Sequence, residues 1–326
     1  MSTDILLVSL GSTAGLRAAD DELAASLTRA GARVAIARAT PPAPVRTLAL
    51  TDLAWARAAR GAAATALERE QPAAVIYSTV TAALLGPVRG AIRFDALAAV
   101  NRRGRHGVWQ RPLERRRLAA ARLLIPWSEA SLEGAPAHRA RAIVVPVPLA
   151  PSGPPAAAGG RDIAAITYAA DPDKKGLERV LAAWARARRD GEELVVAGVE
   201  RLPPVDGVRA VGALPRAEYR ALLRRARVFL IAPRREDYGI AELEALADGC
   251  LLVTSTAPGV YLALDIARRL DPRLVGDDLA RAVRLALDDP LPGYAASAGL
   301  ALAPFSGENI DRVVAEELLP ALIAGA

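Results

Sequence analysis

The sequence predicts an α/β protein made of two Rossmann-like domains. Three observations carry that prediction. Short apolar runs alternate with helical apolar stripes along the whole chain, the pattern of βαβ units with parallel sheets. A stretch rich in Pro, Ala and Gly, Pro146 to Arg161, interrupts the alternation near the middle and reads as a linker. At 326 residues the chain is long enough for two domains with sizeable cores. We therefore expect a first domain over 1–150, a second over 151–305 and a terminal helix over 306–326.

Composition excludes several classes. Hydrophobic residues make up 52% of the chain, yet no apolar run approaches the ~20 residues needed to span a bilayer. The start, Met-Ser-Thr-Asp, leads straight into a strand, without the basic start and small-residue cleavage site of a signal peptide. The single cysteine, Cys250, allows neither an internal disulfide nor a cysteine-based metal cluster, and its place after Gly249 marks it as core. A cytoplasmic protein is expected. Charge is unequally shared: residues 1–150 hold 20 Arg against 11 acids, net +9, while residues 151–326 are net −3. A basic first half suits an anionic partner, whether an acidic acceptor, a phosphate-bearing lipid or the inner face of a membrane. Genomic bias toward Arg accounts for the excess of Arg over Lys but not for the asymmetry. No nucleic-acid reader motif is present, and no nucleic-acid partner is expected.

In chain order, Asp4–Leu10 is a buried-strand pattern ending at Gly11-Ser-Thr-Ala-Gly15, followed by a helix over Arg17–Ala30 and a strand over Arg33–Ala37. The loop lacks a three-glycine dinucleotide fingerprint, and no acid closes the second strand, which argues against a dinucleotide enzyme. Leu48–Glu70 is helical, Ala73–Ser78 a strand, Thr81–Leu85 a short helix, and Ala91–Phe94 a strand ending at Asp95. Between Asn101 and Arg117 stand seven arginines and one acid, with Trp109 among them. That segment is either a solvated basic face or a contact with an acceptor or membrane surface, in which Arg102, Arg103 and Trp109 take part. Leu124–Ser128 and Ile143–Pro148 are short strands that close the first sheet. His106 and His138 have no clear partner and are expected at the surface.

The second domain opens with a strand, Asp162–Tyr168, then a loop, then a helix over Leu177–Arg188. Lys174 and Lys175 in that loop are the chain's only lysines; the other 40 basic residues are Arg. A compact charge on a flexible stem reaches a diphosphate from a loop, or merely solvates a surface turn. Glu193–Gly198 and Val208–Val211 are strands, and a helix runs from Leu214 to Arg227. Val228–Ala232 is a strand closed by Pro233; an acidic loop, the helix Ile240–Ala247 and the strand Leu251–Thr254 follow. In such a unit ligands settle at the strand's carboxyl end, beside the next helix's N-terminus. Asp277–Leu287 is helical, and Ser306 is the N-cap of a last helix, Gly307–Ile323, bent near Pro320.

Two glutamates decide how that unit reads. Glu236 lies in the loop and Glu244 on the helix, with seven residues between them. At ~100° per residue, Glu244 projects only ~40° from Ile240, at the border of the apolar stripe, whereas Glu242 projects ~160° away and is expected in solvent. A carboxylate beside a buried stripe needs a hydrogen-bond partner, which sugar hydroxyls would supply; otherwise it bends out to water.

The pattern Pro-x-x-Glu-x-x-Gly-x-x-x-x-Glu-Ala-x-Ala-x-Gly, from Pro233 to Gly249, resembles the donor-site signature of retaining glycosyltransferases of family four, which have the GT-B fold. The resemblance implies two Rossmann-like domains facing a cleft, with the last helix crossing back to the first domain. It implies transfer of a hexosyl group from a nucleotide-diphosphate sugar, the donor held by the second domain and the acceptor by the first. Glu244 would bind the ribose hydroxyls, and the amides of Gly239, Ile240 and Ala241 the diphosphate. Lys175, with Lys174 beside it, would neutralise leaving-group charge. Glu236 would contact the donor sugar near its reacting centre.

The sequence also departs from the family. Gly11 falls on a loop that faces the donor phosphates in the family, although an ordinary tight turn reads as well. Asp95 falls where members carry His-Asp, but Phe94 replaces the histidine. The family's phosphate arginine is missing, Ala169 and Ala170 standing there, so Arg234 or Arg235 would supply the charge. Ala257-Pro-Gly-Val-Tyr261 replaces paired glycines and a further Glu. No Asp-x-Asp metal motif appears, and no cofactor beyond the donor is expected. The acceptor is open, an anionic or lipid-linked molecule among the choices. Two alternatives stay open: a degenerate nucleotide-sugar-binding protein, and a GT-B-like nucleotide-sugar epimerase.

Overall fold

A computed structural model describes residues 3–102, 104–135, 141–154 and 160–324. The chain forms two compact units, Met1–Pro148 with Phe305–Ala326, and Leu149–Pro304. In the first, β1 (Ile5–Ser9), β2 (Val34–Arg38), β3 (Ala74–Tyr77), β4 (Ala91–Phe94), β5 (Leu123–Pro126) and β6 (Arg141–Ala142) make one parallel sheet. Its order is β2-β1-β3-β4-β5-β6. Alternate residues of β1 feed two cores. Leu6 and Val8 pack with Ala56, Ala59 and Ala63 of the helix Leu48–Glu70. Ile5 and Leu7 pack with Leu23 and Leu27 of the helix Ala14–Arg29, and with Ile310, Val314, Leu318 and Leu322 near the chain's end. Burial on both faces is why these strands read as unbroken apolar runs.

The terminal segment is anchored to this unit by those four side chains. Ser306 caps it, accepting from Asn309 N at 3.3 Å. The helix Gly307–Val313 then widens into a π-helical turn, Val314–Leu318, just before Pro320. A proline offers no N–H and crowds the carbonyl one turn back, which such a wider turn relieves.

Two expectations change here. The strand expected over Ile143–Pro148 is not formed; β6 holds only Arg141–Ala142. Ile143 N and Val145 N still donate to Leu124 O and Pro126 O at 2.9 Å. Pro146 and Pro148 have no N–H with which to continue the ladder. The arginine-rich segment contains a helix, Gln110–Ala120, whose few apolar residues gave a weak signal.

In the second unit β7 (Ile163–Tyr168), β8 (Leu194–Ala197), β9 (Val208–Gly212), β10 (Ala226–Ile231) and β11 (Leu251–Thr254) form another parallel sheet. The order, β11-β10-β7-β8-β9, is doubly wound, with the winding reversing between β7 and β10. Trp184 is wholly buried against it, its Nε1 donating to Gly207 O at 2.9 Å. Leu149–Pro304 begins before the expected boundary because its first residues are tied inward. Arg220 Nη2 donates to Ala150 O at 2.8 Å, and Ser152 N to Asp248 Oδ1 at 2.7 Å. Two helices, Leu262–Leu270 and Tyr294–Leu302, escaped the sequence reading. Their caps, Tyr261 and Gly293, have φ of 27° and 76° and give no side-chain cap, so no Ser, Thr or Asp marks the start. Among the described residues no helix is long and apolar enough to cross a membrane.

Candidate functional site

Where a doubly wound sheet reverses, the loops leaving the two strands part and open a crevice at their carboxyl ends. In the second unit those strands are β7 and β10, which pair directly. The loop after β7 carries Lys174 and Lys175; the loop after β10 carries Arg234, Arg235 and Glu236. The two loops are joined by their backbones, Arg234 N donating to Lys174 O at 2.9 Å. Gly176 makes that approach possible: at φ +66° a Cβ would stand 1.8 Å from Ala232 O. A third loop, after β11, closes on the same point. Glu236 N donates to Pro258 O at 3.1 Å. A Cβ on Gly259, whose φ is +121°, would meet Glu236 O at 1.9 Å. The loop 256–261 also lines an open pocket of about 360 Å³.

Lys175 Nζ donates to Glu236 Oε2 and lies 3.6 Å from Glu242 Oε1. The three side chains are 13%, 7% and 0% exposed. Burial alone would push the Lys175 ammonium down, but Glu242 and Glu236 outweigh it and hold it above its ordinary value. Burial alone would raise the Glu236 carboxyl; Lys175 and Lys174 bring it below its ordinary value. Glu242 is where burial wins, against Lys175 and with help from Glu236, and its carboxyl rises to about 7.

The expectation that Glu242 faces solvent is therefore corrected. The helical wheel presumes one wet face, and the helix Ile240–Ala247 has none: each of its residues is buried or half-buried. It is entered through Gly239 at φ 89° and wedged between neighbouring helices and loops. Glu244 does not bend out to water either. It is 6% exposed, and its Oε1 accepts from Arg216 Nε at 3.0 Å and Nη2 at 2.8 Å, with Arg220 Nη1 at 3.5 Å. Arg220 also pairs with Asp248 at the far end of the same helix. The sequence reading missed Arg216 and Arg220, which stand one turn apart on the helix Arg216–Arg225. Between them Tyr219 is buried, and burial, then Glu244 and Glu242, push its phenol well up.

The other expected cations near the loop have acidic partners. Lys174 Nζ is 3.6 Å from Asp237 Oδ2, Arg235 Nε donates to Asp237 Oδ1 at 3.0 Å, and Arg234 Nη2 is 3.2 Å from Asp173. The second unit thus gathers Lys174, Lys175, Arg235, Glu236, Gly239, Ile240 and Ala241 around one helix tip, while Glu244 sits a turn further on, against Arg216 and Arg220. Gly11 and Asp95 lie in the first unit, after β1 and β4. Gly11 has φ +58°, and its carbonyl accepts from Arg17 Nη1 at 2.7 Å. Asp95 Oδ1 accepts from Ala96 N at 2.8 Å. Arg102 is committed to Asp52, at 2.9 Å, and Trp109 packs half-buried on the core beside the helix Leu48–Glu70. Arg103, His138 and the side chain of His106 lie outside the described residues. Unforeseen from sequence is a buried pair behind the Gly11 turn. Arg93 Nη1 stands 3.3 Å from Asp20 Oδ1 and its guanidinium 4.8 Å above the Trp127 ring, while Ser9 Oγ donates to Asp20 Oδ2 at 2.6 Å.

Residues 161–289 match the family model described as Glycosyl transferases group 1. Glycogen synthase of Mycobacterium tuberculosis is 35% identical over 133 residues, which covers 36% of this chain and 32% of the relative. The match therefore spans about a third of that enzyme's length. Among solved structures, sucrose-phosphate synthase from Thermosynechococcus elongatus is similar with a TM-score of 0.66 at 16% identity, covering 100% of this chain and 98% of the other. HepE of Anabaena, solved with UDP and glucose, is similar with a TM-score of 0.68 at 16% identity, covering 97% and 99%. The α,α-trehalose 6-phosphate synthase of Burkholderia multivorans gives 0.66 at 13% identity, covering 99% of each chain. The chain has the two-sheet architecture of a GT-B protein. The likeness to the Glycosyl transferases group 1 model lies in its second unit, over residues 161–289.

Proposed function

We propose that the protein is a glycosyltransferase that takes a hexosyl group from a nucleotide-diphosphate sugar held by Leu149–Pro304. One observation carries this reading: Lys175 and Glu236 meet at the N-terminus of the helix Ile240–Ala247, whose next turn carries Glu244, inside the stretch that matches the family. A diphosphate over that tip would meet the amides of Gly239, Ile240 and Ala241. The bond from the anomeric carbon to the diphosphate oxygen breaks, and the electron pair leaves on the phosphate. Lys175 neutralises that charge in a site where water is largely excluded. The acceptor oxygen bonds to the anomeric carbon and gives up its proton to the departing diphosphate. In this reading Glu236 contacts the sugar and Glu244 the ribose, Lys174 and Arg235 add positive charge, and no metal ion is needed. Retention of the anomeric configuration is part of the proposal, as is an acceptor bound by the first unit near Gly11 and Asp95. The basic charge of residues 1–150 supports an anionic or lipid-linked acceptor.

HepE was solved with UDP and glucose, which makes UDP-glucose the first donor to try. The test is nucleotide release from a panel of UDP- and GDP-sugars, in wild type and Glu236→Ala. Release that depends on Glu236 supports transfer. A second reading, nucleotide-sugar binding without turnover, draws on the internal neutralisation of the site: Lys175 is paired with Glu236, and Glu244 with Arg216 and Arg220. Binding with no Glu236-dependent release would favour it.

A further inference from the structure

The donor reading gives Glu242 no task, yet few places in the molecule are stranger for a carboxyl group. It is fully buried, and neither of its oxygens has a hydrogen-bond partner among the described residues. The nearest cation, Lys175 Nζ, stands at 3.6 Å, beyond hydrogen-bond reach. The charged and titratable groups that face it are Lys175 and Glu236 from the loops after β7 and β10, Tyr219 from the helix Arg216–Arg225, and Tyr261 from the loop after β11. Burial pushes both phenols well up, so neither supplies charge. What remains is one cation already paired with one anion. Nothing is left to neutralise a second buried carboxylate, which is why its proton stays on to about pH 7. With Glu242 neutral, the trio Lys175, Glu236 and Glu242 carries no net charge. With Glu242 ionised it carries one negative charge, at the point where a diphosphate would arrive.

We propose that Glu242 is a positioning residue for Lys175: as a neutral acid beneath the ammonium it frees Lys175 to turn to an arriving diphosphate, and anion binding draws a proton onto Glu242. The inference rests on the donor-site reading and deepens it. The proton comes from solvent to the Glu242 carboxylate, and no other bond changes. The negative charge of the bound diphosphate holds that proton more firmly, so by linkage donor affinity falls as pH rises past the value at which the free site ionises.

The experiment is calorimetric titration of the whole protein with UDP-glucose and with GDP-mannose, at about pH 6 and about pH 8.5, in two buffers of different ionisation enthalpy. These diphosphate diesters carry no phosphate proton that titrates in that range, so uptake of most of a proton belongs to the protein. Wild type should take up most of a proton at the higher pH and bind about 25-fold more weakly there than at the lower. Glu242→Gln, a neutral mimic, should take up none, and its affinity should no longer fall with pH. Glu242→Ala should bind more weakly at both. No uptake by wild type, or uptake that persists in Glu242→Gln, overturns the inference while the donor site stands. If neither sugar nucleotide binds wild type at any pH, the donor-site reading fails and this inference fails with it. The wild-type buffer comparison decides the matter even if a variant folds poorly.

Discussion

Lys175 and Glu236 form a nearly buried ion pair across the loops that leave two neighbouring parallel strands, β7 and β10. The pairing follows from topology: the sheet reverses its winding between these strands, and the two loops leave side by side, joined by Arg234 N donating to Lys174 O. Breaking one side of such a pair costs more than the pair contributes, since it leaves an uncompensated buried charge. Lys175→Met should therefore destabilise the protein by about 3–5 kcal/mol at neutral pH. Adding Glu236→Gln to it should restore part of that loss, a non-additivity that denaturant unfolding of the double-mutant cycle measures.

Glu242 gives stability a pH dependence of definite sign. The unfolded chain loses this proton near the ordinary value of 4.5, the folded protein only near about 7. Between those values the folded state binds more protons, so stability falls as pH rises, on the order of 3 kcal/mol in all from this group. Glu242→Gln removes the effect. The melting temperature of the variant relative to wild type should climb between about pH 5 and pH 8, as followed by thermal unfolding across that range.

The backbone of the site depends on Gly176 having no side chain. Gly176→Ala would set a Cβ 1.8 Å from Ala232 O at φ +66°, and should cost several kcal/mol and separate Lys175 from Glu236. Gly61, inside the helix Leu48–Glu70, leaves open space where a Cβ would stand, with nothing within 4 Å. Gly61→Ala should stabilise by about 0.5–1 kcal/mol through helix propensity. Denaturant midpoints of the two variants should move in opposite directions.

Glu244 offers a test that involves the ligand rather than the fold. A hydrogen bond to a charged group is worth about 1.5–3 kcal/mol, so Glu244→Ala should raise the KM for a sugar nucleotide roughly 10- to 100-fold. A donor whose ribose lacks both hydroxyls should lose a similar factor with wild type and little more with the variant. Equal losses from both changes, simply multiplied, would separate Glu244 from the ribose.

The fold was readable because parallel strands buried on both faces announce themselves as apolar runs; β1, β7 and β10 lie within two residues of their expected limits. Of the residues the sequence singled out, the structure brings Lys175, before Gly176, together with Glu236, before Gly239, because both stand on loops that leave adjacent parallel strands. Glu242 was misread because a wheel says how a helix is patterned, not how many sides of it are covered. Arg216 and Arg220 were missed because their partner, Glu244, arrives from a different helix 28 and 24 residues on, a separation no local periodicity reports. The helix Gln110–Ala120 hid because the face it buries is Gln110, Glu114 and Leu118, which makes no apolar stripe.

The most direct measurement is calorimetric titration of UDP and of GDP into wild type and Lys175→Met, with the fold of each checked by thermal unfolding. The account predicts that one of the two nucleotides binds wild type and that its affinity drops by at least about tenfold when the lysine is lost. Binding of neither nucleotide, or equal binding to a folded Lys175→Met, would contradict it.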